Sequence, residues 1–94
     1  MKIEEFKSSF EGKEPPVCLS LELKAMWYAA VDEWHKAHEL IQYEASKECA
    51  LVHAYLHRVE GDKMNSEYWY KKADFERPDI SLEDEYHHIL THLI

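Results

Sequence analysis

Across 94 residues the chain is interrupted by only Gly12 and Gly61 and by Pro15, Pro16 and Pro78. With so few residues suited to sharp reversals, short-range structure has to run in long unbroken pieces, and helices joined by brief connections are the expected outcome. Apolar residues make up 46% and charged residues 32%, enough apolar surface to fold and too much for a disordered chain. A chain of this length is one domain's worth and closes one modest core.

Apolar spacing gives the helices their places. Residues 1–17 read as a polar leader in which Ile3, Phe6 and Phe10 match one helical face, so the segment is either a short helix laid on the core or a frayed end. Residues 18–94 read as a single helical domain. Leu19, Leu23, Met26, Trp27 and Ala30 share a face of a helix that starts near Ser20, a suitable N-cap. Asp32 is placed to cap the next helix, whose stripe is Trp34, Ala37, His38, Ile41 and Ala45. A third helix from about 47 to 59 is apolar on more than one face, as a central helix would be.

Glu60-Gly61-Asp62 then reads as a helix stop joined to a helix start. Gly61 adopts a left-handed conformation without a Cβ penalty, and the Asp62 carboxylate can accept from the first amides of the following helix. Arg58, four residues before Asp62, can pair with it across the turn. The fourth helix, about 63 to 73, carries Ser66, Trp69, Tyr70 and Ala73 on one stripe and is closed off by Arg77-Pro78. Ser81 caps a last helix whose stripe is Tyr86, Ile89, Leu90 and Leu93. The sum is five helices, six with the leader, and no strand.

A weak internal repeat is present. Asp32, Trp34, Ala37 and Ile41 fall opposite Gly61, Lys63, Ser66 and Tyr70 at an offset of 29 residues. A small residue followed by a large one four later suits the second helix of a tetratricopeptide repeat, and Gly61, Ser66, Tyr70, Ala73 and Pro78 keep that repeat's spacing. Ala50, His53, Ala54 and His57 stand where its first helix usually has Trp, Leu, Gly and Tyr, and the offset is shorter than 34, so the pattern is TPR-like only.

The segments Trp34-His-Lys-Ala-His38-Glu-Leu-Ile-Gln42 and Val52 to Ala73 are more specific. Together they resemble a family of short bacterial proteins with a Trp-x-x-Ala-His segment followed by Val-His-Ala-Tyr-Leu-His-Arg-x-Glu-Gly-Asp-x-x-Asn-Ala-x-Tyr-Trp-Tyr. The resemblance spans about residues 27–74, with Ser66, Leu51 and Asp32 departing from the alanine, tryptophan and glycine of that pattern. It implies a helical fold and makes His38, Gln42, His53, His57, Arg58, Asn65 and Trp69 features of the motif. It carries no activity with it.

Charge and termini narrow the function. A net charge of −8 with no cluster of Lys and Arg argues against nucleic acid as a partner. Full protonation of the seven histidines would bring the charge to −1, so charge and association should respond to acid. No apolar run approaches the ~20 residues of a membrane span, the first ten residues lack the apolar core of a signal peptide, and Cys18 and Cys49 do not form a metal or redox pair motif. A cytoplasmic protein is expected.

The chemistry centres on histidine. His53 and His57 stand at i, i+4, a spacing that lets two imidazoles share a metal, and His88 and His92 repeat it. His35 and His38 lie three apart, and Glu85-x-x-His88 has a carboxylate–histidine spacing used in helical bundles. Cys49 lies one turn before His53, but a cysteine on a buried helix ordinarily acts as a small apolar residue. No catalytic residue is assigned.

Two readings follow for an all-α domain of two TPR-like antiparallel hairpins capped by a C-terminal helix. In the first it is an adaptor gripping a protein or peptide through a face made of Trp34, His38, Gln42, His53, His57, Arg58, Asn65, Trp69 and Tyr70. Its alternative is a metal- or small-ligand-binding protein, conceivably an enzyme, with one divalent transition metal on His38, His53 and His57. The first needs no cofactor. The same polar groups could also form a buried hydrogen-bond network that only fixes helix packing, and the aromatics could be simple core. Two repeats are few for a solenoid, so the last helix or a second copy of the chain must cover the core.

Overall fold

The computed structural model describes all 94 residues and contains six α-helices and no strand. They are α1 (Ile3–Ser8), α2 (Leu21–Ala30), α3 (Trp34–Ile41), α4 (Lys47–Val59), α5 (Lys63–Ala73) and α6 (Leu82–Leu93), with a 3-10 turn over Ser9–Glu11. No helix is long and apolar enough to cross a membrane.

The helix starts follow their caps. Ser20, Ser46, Asp62 and Ser81 each accept from the backbone N–H three residues on, at 3.3, 3.1, 3.2 and 3.0 Å. Such contacts pair amides that would otherwise have no partner in the first turn, and each is worth ~1 kcal/mol. Asp32 departs from this expectation. It takes a left-handed conformation, φ 63°, and Glu33 holds the cap position of α3 without a side-chain hydrogen bond. The reason lies in how α2 ends: Asp32 N–H donates to Ala29 and Glu33 N–H to Tyr28, a closing pattern that requires a left-handed residue between. The end of α4 repeats it, with Gly61 at φ 82° donating to Arg58 and Asp62 N–H donating to His57. Asp74 closes α5 in the same way.

The 29-residue repeat is therefore a repeat of turn geometry. α2 pairs with α3, and α4 with α5, each pair across three connecting residues. α3 is shorter than its apolar stripe suggests and stops at Ile41, which leaves Ala45 exposed in the link to α4.

α4 is the centre of the molecule, with an unbroken buried run from Cys49 to His57. α2 and α3 lie against it on one side and α5 on another, while α6 crosses both α2 and α4. Tyr86 of α6 donates to the carbonyl of Met26 at 2.6 Å, and Ile89 and Leu90 are buried beside it. At the other end of the chain, Phe6 is fully buried. Phe10 stands edge-on to both Phe6 and Trp27, and the Trp27 indole N–H donates to Ser9 Oγ at 3.0 Å. The polar leader thus contributes to the same core.

Candidate functional site

Helical spacing and the α3–α4 packing gather three histidines. His53 and His57 are one turn apart on α4, and His38 reaches them from α3. His38 Nε2 and His53 Nε2 are 3.0 Å apart, so one ring donates a proton and the other accepts it. One ligand atom from each of the three rings lies within 4.8 Å of the others.

Two indoles bracket this cluster. Trp34 stacks on His38 with ring centres 4.9 Å apart and planes within 10°, while its indole N–H donates to the Leu56 carbonyl at 2.7 Å and so ties α3 to α4. Trp69, from α5, stacks on His53 at 3.9 Å and 17°. His53 and His57 stack on each other at 4.9 Å. The result is a seam of imidazole rings, closed at each end by an indole, across α3, α4 and α5. Trp34, His38 and Trp69 are half-buried at its surface, while His53 and His57 are buried beneath.

Burial sets the charge state. Desolvation, followed by the neighbouring His38 and His57, lowers the His53 pKa to about 4. Desolvation and then His57 also lower that of His38. At neutral pH both rings are uncharged, with lone pairs available. His57 is oriented from outside: its Nδ1–H donates to the Glu60 carboxylate at 2.6 Å, which leaves Nε2 as the ring nitrogen that Glu60 does not engage.

The His53 imidazole is 3% exposed, and its Nδ1 has no hydrogen-bond partner. A completed structural network would satisfy both ring nitrogens. This one does not.

Other residues expected on the same face lie elsewhere. Arg58 does not pair with Asp62; it reaches α6, where Nη1 donates to Glu85 Oε1 at 2.7 Å and Nη2 donates to the Ile80 carbonyl. Tyr70 donates to the second oxygen of the same carboxylate. Asp62 is engaged as the α5 cap, and the side-chain and backbone N–H groups of Asn65 hold its carboxyl below the usual range. Asn65 is therefore at an exposed helix start, engaged with Asp62. Gln42 lines a cavity of about 280 Å³ with Tyr43, Glu44, Trp69 and Lys72, at the end of the seam.

Glu60 and Glu85 carry roles that sequence spacing alone did not assign. Glu60 lies three residues after His57, a helical neighbour that reading Glu60-Gly61-Asp62 as a turn passes over. Glu85 is 2% exposed with both oxygens engaged, so Glu85-x-x-His88 is not a ligand pair. His35, His87, His88 and His92 are exposed. Burial pushes the Cys49 thiol pKa up, which removes it as a thiolate nucleophile.

No family model, curated protein or solved structure matches this chain.

Proposed function

We propose that this protein is a small interaction module that holds a segment of another protein along the seam between α3 and α5. The observation behind the reading is the join between the half-buried rings of Trp34, His38 and Trp69 and the cavity of about 280 Å³ beyond Trp69. Tyr43, 89% exposed, stands at the edge of that cavity, and Lys72 and Glu44 supply charge of both signs there. Aromatic rings beside a pocket that fits one side chain are what an extended or helical segment needs as an anchor. Arg58, Tyr70 and Asn65, engaged elsewhere, are not part of this face.

A photo-crosslinking amino acid at position 43 of the full chain, in the cells that make it, tests the reading. A discrete adduct at 43 that disappears with Trp69→Ala, and that is absent with the crosslinker at Glu83 on α6, is the expected result. Chain-to-chain adducts would make a second copy the occupant. Equal labelling from 43 and 83, or adducts indifferent to Trp69→Ala, would overturn it.

A further inference from the structure

Beneath the seam, we infer that His38, His53 and His57 bind one divalent first-row transition ion of the Zn²⁺ class, with Glu60 orienting His57 from behind. The inference does not depend on any partner at the surface. Three imidazole ligands suit an ion of borderline softness, and three protein ligands leave a fourth position for water.

The distances are close to those such a site needs. Two imidazole nitrogens bound at ~2.0–2.1 Å in a tetrahedral set stand ~3.3 Å apart. His38 Nε2 and His53 Nε2 are 3.0 Å apart, so they need to part by only a few tenths of an ångström to admit the ion, the donor ring giving up its Nε2 proton to solvent and taking one at Nδ1. The third ring already lies within 4.8 Å, two rotatable bonds from its backbone. Metal-bound histidines usually donate their other ring N–H to a carboxylate, and His57 donates to Glu60 at 2.6 Å.

Two further features fit an ion better than a closed polar core. The two indoles clamp His38 and His53 in plane, which limits the entropy lost when they ligate. His38 is half-buried, which gives an ion a route inward. Asp62 also lies within reach of His57 and Glu60, but its carboxylate is occupied by Asn65 and is not needed as a ligand.

The test uses full-length untagged protein stripped with chelator, with Zn²⁺ added by calorimetric titration and Co²⁺ as an optical probe. One Zn²⁺ per chain is expected, and Co²⁺ should show the intense visible absorption of a four-coordinate site. His38→Phe, which keeps a ring against Trp34, should abolish stoichiometric uptake. Glu60→Gln, at an exposed position that leaves the core intact, should weaken Zn²⁺ binding about 10-fold. Replacing the exposed pair, His88→Ala with His92→Ala, should change nothing. No uptake at millimolar Zn²⁺, or uptake lost with His88 and His92 and not with His38, would overturn the assignment.

Discussion

The Arg58–Glu85 pair makes the sharpest prediction about stability. Glu85 has a side chain 2% exposed and Arg58 one 15% exposed, and the two link α4 to α6 across 27 residues of sequence. Arg58→Met keeps most of the aliphatic stem and removes the charge, which strands the carboxylate in the interior with only the Tyr70 hydroxyl for support. Breaking one side of a buried pair costs ~3–5 kcal/mol. A domain of this size has a total stability of ~5–14 kcal/mol, so a large part of it is at stake. At about 5 °C of Tm per kcal/mol for a chain of this length, the variant should melt ~15–25 °C below the parent. Adding Glu85→Leu and Tyr70→Phe removes the stranded acid and the hydroxyl that served it. Most of the loss should return, because well-packed apolar groups substitute for a buried ion pair at little cost. Differential scanning calorimetry at pH 7 on the three proteins decides the matter. A single variant within ~5 °C of the parent, or a triple variant as damaged as the single, would show that the pair does not hold α6 down.

Three more predictions follow from the same geometry. In chelator-treated protein, stability should fall as pH drops from about 6.5 toward 4. The unfolded chain takes up a proton at His53 through that range while the folded one, held at about 4, does not; the effect is at most ~3 kcal/mol, with His38 acting in the same direction, and a flat Tm between pH 6.5 and 5 would contradict it. Gly61→Ala should cost ~1 kcal/mol in urea unfolding through φ 82° alone, since nothing lies within 4 Å of an added Cβ, whereas Asp32→Gly should gain ~0.5 kcal/mol at φ 63°; a neutral Gly61→Ala would contradict the left-handed turn. Removing residues 81–94 should leave a protein that binds hydrophobic dyes and lacks a sharp melt, because Glu85, Ile89 and Leu90 go with α6; a cooperative melt would refute its role as a cover.

Local chemistry was readable in the sequence and long-range pairing was not. Ser20, Asp62 and Ser81 cap as their positions suggested because a cap depends on the next three residues only. α4 stood out as central because its apolar residues cover more than one face. Asp32 was misplaced because an aspartate ahead of an apolar stripe suits a cap and a left-handed turn alike; its alignment with Gly61 at offset 29 held the distinguishing information. Arg58 misled for a different reason. Asp62 stood four residues on, the spacing of an ion pair along a helix, but the helix ends between them, and the real partner comes from α6. His38, His53 and His57 shared a candidate face on paper, and the structure brings them together; the unpaired His53 nitrogen and the Glu60 contact emerge only once side chains have directions.

The way α6 is attached has a consequence for the order in which the molecule comes apart. The α2–α3 and α4–α5 hairpins are built from contacts close in sequence, whereas α6 is held by links as distant as Tyr86 to Met26, 60 residues apart. Local pairs close at small entropic cost and α6 must dock onto a finished surface, so it should dock late in folding and detach early in unfolding. Its detachment also returns the Arg58 and Glu85 charges to water, which offsets part of the packing lost. Amide hydrogen exchange would then show α6 opening at a lower free energy than α4, with α2 and α4 losing protection next because they are the helices it packs on.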